Sequence, residues 1–392
     1  MPANGRRALK FVVLIGVLSF FADFTYEGSR SIVGPYLATL QAGPVAIATV
    51  SGLGELLGYA LRLVSGRAAD RSGKFWPITI FGYFIQMLSV PALALAGNWQ
   101  TAAALIVAER VGKAIRNPPR DVMLSHAGKR IGHGWAFGLH EALDQLGALF
   151  GPLLVALLLA RRGDYRLAYA STLGPALICL TFVLIARLLY PKPEDMEAEP
   201  PNVAPHNLTG AFWMYLTAAG LVAAGFVDYP LMAYHLQQTS TISKEFVPVF
   251  YAVAMGVSGM GSLVLGRLYD RWGFVVLIAL TIAAALFAPL VFWGGFWEAL
   301  TGVALWGLGM GVHESIIPAA VAPLAPRRRR ASAYGLVTAG YGLCWFLGSI
   351  VIGLLYKTSL AATVAFCLAA QVAAIPVLVA VLRSIRRAPI LP

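Results

Sequence analysis

Charged residues are scarce in this 392-residue chain, at 12% of the composition, whereas soluble globular proteins average about 25%. Cysteine is scarcer, and its three residues lie singly in apolar runs, so no metal site with cysteine ligands is predicted. Long polar tracts are few, which excludes an intrinsically disordered chain. No Walker A loop is present, so we expect no cycle driven by ATP. A soluble enzyme is excluded by the same scarcity of charge.

Apolar residues take the place of the missing charge: 58% of the chain is hydrophobic. A membrane-spanning helix needs about 20 apolar residues, and the chain has room for twelve such helices. The apolar runs are continuous rather than alternating, which favours helices over a β-barrel. The first run is too long and too charged for a cleavable signal peptide, so we expect it to remain as a span. The predicted spans are residues 9–37, 44–65, 76–97, 100–124, 134–160, 166–189, 210–236, 244–265, 274–294, 296–319, 331–356 and 359–383.

The net charge is +12, and the basic residues that produce it are distributed according to the predicted topology. Most Lys and Arg residues lie in alternate connections and in the two tails, which is the positive-inside pattern of polytopic membrane proteins. This pattern predicts that both termini are cytoplasmic. It also explains the excess of Lys and Arg, so no nucleic-acid partner is predicted. The basic connection at 161–166 is an exception, because the topology puts it outside.

The chain is divided and internally repeated. The proline-rich, acidic stretch at 191–209 separates two sets of six predicted spans, so we expect bundles at 1–190 and 210–392 joined by a cytoplasmic linker. Residues 66–73 and 266–273 each follow the second span of their half. Gly, Arg, Asp, Arg and Gly coincide in the two segments at a separation of 200 residues, which indicates duplication.

The segment Gly66–Lys74 resembles the loop motif Gly-x-x-x-Asp-Arg-x-Gly of the major facilitator superfamily, although Phe75 stands where a second basic residue is common. The resemblance covers the whole chain. It implies an all-α membrane protein with twelve transmembrane helices in two pseudo-symmetric six-helix bundles, usually monomeric. It also implies a cytoplasmic gate formed by the two loops. The alternative is that these residues only shape a turn, cap a helix and set the topology. The gating residues implied are Gly66, Asp70, Arg71, Gly73, Asp270 and Arg271.

Ionisable residues within the predicted spans are costly, at about 2.5–3.5 kcal/mol each at the bilayer centre. They concentrate on the first, fourth, fifth, seventh and tenth spans. Spacings of three, four or seven residues put Asp23, Glu27 and Arg30 on one helical face, and align Asp228 with His235. The resemblance implies that helices one, four, seven and ten line a central pathway. The other members are Glu109, Arg110, Lys113, Arg116 and Arg120 of the fourth span, His140, Glu141 and Asp144 of the fifth, and His313 and Glu314 of the tenth.

Structural ion pairs are the alternative to a pathway, for example Glu109 with Lys113. Arg116 and Arg120 fit that alternative better, because Asn117-Pro118-Pro119 is predicted to break or end the fourth helix beside them. We favour function for a set of six residues: Asp23, Glu27, Arg110, Lys113, Asp144 and Asp228. A carboxylate removed from water binds a proton more readily, and a nearby arginine opposes this. Proton coupling is assigned to Asp23, Glu27 and Asp144, with Arg110 as modulator at the position that the resemblance associates with coupling. Substrate binding is assigned to Arg30, Lys113, His140, Glu141, Asp228, His235, His313 and Glu314.

A glycine motif in the fifth span bears on the direction of transport. Gly147, Gly151 and Pro152 resemble the Gly-x-x-x-Gly-Pro antiporter motif, but Val155 and Ala156 replace its closing glycine pair. The resemblance implies proton antiport and export. Close helix packing through the two glycines is the alternative, and both interpretations can hold.

The sequence therefore predicts a secondary active transporter that moves a small molecule or ion by alternating access in a bacterial cytoplasmic membrane, with protons and the lipid bilayer as its other partners. Proton-coupled export is favoured. Uptake or facilitated diffusion of a small anionic metabolite, or export of a transition metal, remains open. A polytopic membrane enzyme or a channel is much less favoured. No cofactor, catalytic residue or resident metal is predicted, because His140–Asp144 lacks the second histidine of His-Glu-x-x-His.

Overall fold

The computed structural model describes residues 3–131, 133–192, 210–311 and 330–387. Over these residues the chain is helical, and the described part contains no strand. A short 3₁₀ turn, Leu93–Leu95, follows the fourth helix. The helices are α1 Ala3–Arg30, α2 Val33–Thr39, α3 Pro44–Ser72, α4 Phe75–Ala92, α5 Trp99–Ile131, α6 His133–Arg162, α7 Tyr165–Ser171, α8 Leu173–Leu189, α9 Gly210–Ala224, α10 Tyr229–Gln238, α11 Phe246–Trp272, α12 Phe274–Ala285, α13 Phe287–Trp293, α14 Phe296–Gly311, α15 Arg330–Thr358 and α16 Leu360–Arg387.

Nine helical segments within the described residues are long and apolar enough to cross a membrane. The predicted all-α membrane fold is therefore confirmed, and the chain is a multi-pass integral membrane protein. The nine segments are Gly5–Arg30, Pro44–Ala69, Phe75–Leu95, Leu139–Arg162, Tyr165–Leu189, Gly210–Gln238, Phe274–Trp293, Leu336–Thr358 and Leu360–Ile385.

The chain forms two compact units. Unit 1 takes in the described part of Met1–Ala42, Leu57–Pro201 and Lys244–Ala252. Unit 2 takes in the described part of Gly43–Leu56, Asn202–Ser243 and Val253–Pro392. Residues 193–209 of the predicted linker lie outside the described residues. The division into bundles at 1–190 and 210–392 stays a prediction.

The core of unit 1 forms around α1. Phe11 and Leu18 of α1 are fully buried in a cluster with Tyr83 of α4 and with Cys179 and Val183 of α8. This apolar side fixes α1 against its neighbours. Asp23, Glu27 and Arg30 of α1 lie outside this apolar cluster and make polar contacts instead.

The first predicted span is not one helix. The structure ends α1 at Arg30 and begins α2 at Val33. The Ser31 hydroxyl donates to the Gly28 carbonyl at 2.6 Å, which competes with the helical backbone pattern. Pro35 has no N–H to donate to the carbonyl of residue 31. The two residues together explain the break.

The Asn117-Pro118-Pro119 segment does not end the fourth helix, contrary to the prediction. Both prolines lie inside α5. Pro118 cannot donate to the carbonyl four residues earlier, which belongs to Ala114. The Ser65 hydroxyl of α3 donates to that carbonyl at 2.8 Å. Replacement of a lost backbone bond by a serine on a neighbouring helix is how membrane helices accommodate proline.

Ser65→Ala is expected to lower the free energy of unfolding by about 1–3 kcal/mol, because it leaves a buried carbonyl without a donor. Ser72→Ala is the matched control, since the Ser72 hydroxyl is near solvent and bonds only to nearby backbone: it donates to the Ala68 and Ala69 carbonyls and accepts from the Lys74 N–H. Thermal unfolding of the purified chain in detergent measures both. Equal melting temperatures for the two variants would contradict the assigned role of Ser65.

The predicted seventh span is broken in the middle. Helix α9 ends at Ala224 and α10 begins at Tyr229, with Asp228 in an extended conformation at the N-cap. Pro230 in the first turn of α10 removes a backbone donor at this point. The predicted span 210–236 is therefore two helices, and Asp228 is the N-cap of the helix that carries His235. The alignment of Asp228 with His235 on one face stays a prediction.

The repeated segments end their helices in the same way. Gly73 follows α3 and Gly273 follows α11, with φ of +63° and +59°. The Gly73 N–H donates to Ala69 at 2.9 Å, and the Gly273 N–H donates to Tyr269 at 2.7 Å. Positive φ at the residue after a helix favours glycine. The glycine that closes each segment thus has the same conformation and hydrogen bond in both copies.

Candidate functional site

Helices α1 and α5 of unit 1 bring most of the predicted ionisable residues together. All of those on α1, and Glu109 and Arg116 on α5, are buried, whereas Arg110 and Lys113 are partly exposed. The spacings of three and four residues that were read from the sequence put them on facing helix sides. We call this set the α1–α5 cluster; it comprises Asp23, Tyr26, Glu27, Arg30, Glu109, Arg110, Lys113 and Arg116.

Arg116 is the fixed member of the α1–α5 cluster. Its side chain has no solvent exposure. Its Nη1 donates to the Tyr83 hydroxyl at 2.9 Å, and its Nε donates to Gln86 Oε1. The Gln86 amide in turn donates to Glu109 Oε1 at 2.9 Å. A planar guanidinium held by two neutral side chains in this way is locked in place.

Asp23 is held loosely. Its Oδ1 lies 3.6 Å from Arg116 Nη2 and 3.9 Å from Lys113 Nζ. Both distances exceed those of charge-assisted hydrogen bonds, which are about 2.7–2.9 Å. Oδ1 is shielded from solvent and makes no hydrogen bond to any described residue. One buried carboxylate thus faces two cations without a short contact to either.

Three cations surround the ring of Tyr26, which is not among the predicted coupling or binding residues. Lys113 Nζ lies 3.9 Å from the ring centroid, Arg110 Cζ 5.0 Å and Arg30 Cζ 6.0 Å. Arg30 Nη1 also donates to the Tyr26 hydroxyl at 3.2 Å. Cation–π attraction of this kind stabilises a desolvated cation by up to about 2 kcal/mol.

Lys113 is the least restrained cation of the cluster. Its side chain is 19% exposed, whereas that of Arg116 is fully buried. Its ammonium makes no hydrogen bond within the described part of the chain. Three donors are therefore available to a ligand or to a rearranged carboxylate.

Glu27 has a partner that the sequence did not predict. The hydroxyl of Tyr251, which is fully buried, donates to Glu27 Oε2. Tyr251 is 224 positions away in sequence but belongs to the same compact unit. No spacing or motif could have paired these two residues.

The predicted residues of α6 form a second group. His140 Nε2 shares a hydrogen bond of 2.8 Å with the Ser19 hydroxyl. Arg120 Nη1 donates to the same hydroxyl at 3.3 Å. One ligand atom from each of His140, Glu141 and Asp144 lies within 4.8 Å of the other two. Arg120 is itself paired with Asp121 at 2.8 Å, as the structural interpretation of that arginine predicted.

The predicted residues of unit 2 have aromatic surroundings. The Trp345 indole N–H donates to Asp228 Oδ2 at 3.0 Å. His235 Nδ1 shares a hydrogen bond of 2.8 Å with the Tyr356 hydroxyl, and its ring packs against Phe292 with centroids 4.9 Å apart. Sequence reasoning missed both hydrogen-bond partners.

Helix α6 packs against α1 through the glycine motif. A Cβ at Gly147 would overlap the Phe20 carbonyl oxygen, and one at Gly151 would overlap the Phe24 carbonyl oxygen. The packing interpretation of the motif is thereby supported, and Pro152 follows directly inside α6.

The predicted gating residues are only partly described. Arg71 and Arg271 are exposed, and Arg271 Cζ lies 5.7 Å from the Trp272 ring. A Cβ at Gly66 would make an ordinary contact with Pro118 at 3.5 Å. The side chains of Asp70 and Asp270, and the whole of His313 and Glu314, lie outside what the structure describes.

Known proteins resemble this chain along nearly its whole length. The "Uncharacterized protein Rv2265" of Mycobacterium tuberculosis is 39% identical over 384 residues, which is 95% of this chain and 93% of that protein. The "Uncharacterized MFS-type transporter MJ1317" of Methanocaldococcus jannaschii is 25% identical over 370 residues, 91% of each chain. Among solved structures, the nucleoside transporter NupG shares the fold, with a TM-score of 0.71 at 14% identity, over 96% of this chain and 99% of its own.

Two segments of the chain match one known family, whose fold agrees with the helical structure. Residues 15–349 match the Major Facilitator Superfamily, and residues 229–391 match it a second time. The match covers the α1–α5 cluster, the glycine motif and both repeated segments. It indicates a transporter and not an enzyme. The chain belongs to the Major Facilitator Superfamily.

Proposed function

We propose that this protein is a proton-coupled secondary transporter that exports a small solute in exchange for protons. The observation that carries the proposal is the position of Asp23, a buried carboxylate that is shared by Lys113 and Arg116 at 3.9 and 3.6 Å. A proton on Asp23 removes the charge to which both cations are attracted. Proton binding therefore changes the forces between α1 and α5, so the protonated and deprotonated states favour different arrangements of the cluster.

Lys113 is the side chain that moves when Asp23 is protonated. Arg116 keeps its bonds to Tyr83 and Gln86 when Asp23 is neutral, so it stays in place. Lys113 has no such bonds to described residues and is partly exposed. When Asp23 is protonated, the Lys113 ammonium is no longer attracted to it and can move away. When Asp23 loses the proton, the attraction returns.

The other predicted coupling residues take supporting parts in the proposal. Glu27 is held by Tyr251, which ties α1 to the start of α11 inside unit 1. Arg110 lies 3.6 Å from Glu109 Oε2 and beside the Tyr26 ring, where it modulates the charge of the cluster. Asp144 remains an alternative proton carrier. We place the transporter, as a monomer, in a bacterial cytoplasmic membrane.

Export is favoured by the partial antiporter motif of α6. Gly147 and Gly151 hold α6 against the backbone of Phe20 and Phe24, one residue or a turn from Asp23. A motif in this position controls the helix that carries the proton site. This supports the direction that the resemblance implies.

Proton-driven uptake of a small anion is the second candidate. Lys113 favours it, because its donors are unused among the described residues and three cations converge on Tyr26. A proton on Asp23 would free Lys113 for the anion, so proton and substrate would bind together. That coupling gives symport instead of antiport.

Proteoliposomes that enclose a pH-sensitive dye test the proposal. We expect at least one pool among lipophilic cations, organic anions, amino acids and divalent metals to drive a proton flux. We expect Asp23→Asn to reduce that flux more than tenfold, while downhill substrate exchange survives. The control is Asp164→Asn, an exposed helix cap at which asparagine also serves.

The sign of the flux separates the two candidates, because protons move against the solute in antiport and with it in symport. Full proton-driven transport in each of Asp23→Asn, Glu27→Gln and Asp144→Asn would overturn the coupling mechanism.

A further inference from the structure

We infer that α6 carries a binding site for a divalent transition-metal ion, formed by His140, Glu141 and Asp144, and that such an ion is the exported cargo. The cargo assignment rests on the proposed function, whereas the binding site stands on geometry alone. Within the described residues these three offer ligand atoms that lie within 4.8 Å of one another.

The spacing suits chelation by one helix. His140 and Asp144 are four residues apart and share a face of α6. Ligands about 2.0–2.2 Å from one ion lie about 3–3.5 Å from each other. Rotation of the Glu141 and Asp144 side chains towards His140 is expected to close the remaining gap.

His140 is already oriented for ligation. Its Nε2 is engaged by the Ser19 hydroxyl at 2.8 Å, and Arg120 fixes that hydroxyl from the other side. Nδ1 makes no hydrogen bond to a described residue. A metal-bound histidine typically uses one ring nitrogen for the ion and the other for a fixed neighbour. His140 is 4% exposed, so its ring is not free to turn away into solvent.

The carboxylates supply an independent indication. Asp144 Oδ1 is shielded from solvent and has no hydrogen-bond partner among the described residues. Such an oxygen is costly to bury unless a cation or donor meets it. Glu141 is exposed, and its Oε1 accepts from the Gln145 amide at 3.0 Å, which leaves the other carboxylate oxygen for an ion.

The charges of the three ligands suit a dication. Of the nearby cations, Lys113 and Arg116 have their ion-pair contacts with Asp23. Arg120 is paired with Asp121 at 2.8 Å and also donates to the Ser19 hydroxyl beside His140. Two carboxylates with a neutral imidazole balance a charge of +2. One nitrogen and two oxygen donors suit Mn²⁺, Co²⁺, Ni²⁺ or Zn²⁺ better than Mg²⁺ or Ca²⁺.

Metal binding to the purified full-length chain tests the site without any transport. We expect Co²⁺ to bind with one ion per chain by calorimetry and to give a visible absorption band of a nitrogen–oxygen site. We expect His140→Ala and Asp144→Asn to weaken binding at least tenfold. His126→Ala is the matched control, a buried histidine of unit 1 outside the group.

A conservative variant, Glu141→Gln, keeps the test valid if the others fold poorly, and the melting temperature reports folding for each. Absence of Co²⁺ binding to the wild-type chain, or equal binding to His140→Ala and wild type, would overturn the site. Displacement of Co²⁺ by an equal concentration of Mg²⁺ would overturn the metal class.

Transport of Co²⁺ into liposomes that enclose a metal-sensitive dye tests the cargo. We expect a pH gradient to drive Co²⁺ flux and His140→Ala to lower it at least tenfold. Metal binding without flux overturns the cargo assignment. Flux that is unchanged in Asp23→Asn counts against the proton-coupling mechanism and leaves the metal site intact, so the two failures are distinguishable.

Discussion

Arg116→Leu is expected to lower the free energy of unfolding by about 3–5 kcal/mol, the cost of removing one partner from a buried ion pair. The side chain of Arg116 has no solvent exposure and reaches Asp23, Tyr83 and Gln86. Leucine leaves the Gln86 carbonyl oxygen and the Tyr83 hydroxyl without this partner. It also leaves Asp23 with the more distant Lys113 alone. Thermal and denaturant unfolding in detergent measure the loss.

A second substitution distinguishes charge from packing in this prediction. Arg116→Leu combined with Asp23→Asn is expected to lose less stability than Arg116→Leu alone, because the uncompensated carboxylate is gone. Arg161→Leu is the control, since Arg161 lies exposed at the end of α6. A double variant that is less stable than the single variant by the full cost of Asp23→Asn would show independent sites, and so contradict the pairing.

Periodicity predicted which ionisable residues share a helix face, and the α1–α5 cluster shows why it succeeded. Spacings of three and four residues fix the angular position of Asp23 and Glu27, as well as that of Lys113 and Arg116, whatever the neighbours are. Burial cost then forces such faces towards protein and away from lipid. These two rules need only the local sequence.

Partners from distant helices were beyond the reach of the same rules. Ser65 donates to the Ala114 carbonyl that Pro118 leaves without a backbone donor, so α5 continues past the prolines. The prolines alone therefore predicted the wrong helix end. Tyr251 meets Glu27, and Ser19 meets His140. Each of these contacts joins residues separated by 49 positions or more. Tertiary packing determines these contacts, and the periodicity of a single sequence does not reveal which distant helices pack together.

The helix break before Asp228 could be predicted from the sequence only in part. Gly225 and Pro230 are helix-weakening residues that are visible in the sequence. The apolar run continued through them and favoured one long span. In the structure the Trp306 indole N–H donates to the Val227 carbonyl at 2.8 Å, which satisfies the backbone at the break. Unwinding within a membrane requires a partner for each backbone group that it frees, and the Trp306 indole is that partner for the Val227 carbonyl.

Gly147→Ala and Gly151→Ala are expected to destabilise the chain by about 1–3 kcal/mol each, and the double variant is expected to fold poorly. The added methyl groups would overlap the backbone carbonyl oxygens of Phe20 and Phe24. Backbone atoms cannot turn aside as a side chain can, so α1 itself must shift. Gly174→Ala in α8 is the matched control, because a Cβ there has no heavy atom within 4 Å.

The glycine variants also connect packing to transport, because α1 carries Asp23 between the two contact points. A shift of α1 changes the distances of 3.6 and 3.9 Å on which the proposed coupling depends. We therefore expect proton-coupled flux in liposomes to fall more than the amount of folded protein does. Wild-type coupling per folded molecule in Gly151→Ala would show that α6 only anchors α1, and that the antiporter-like motif has no part in moving the proton.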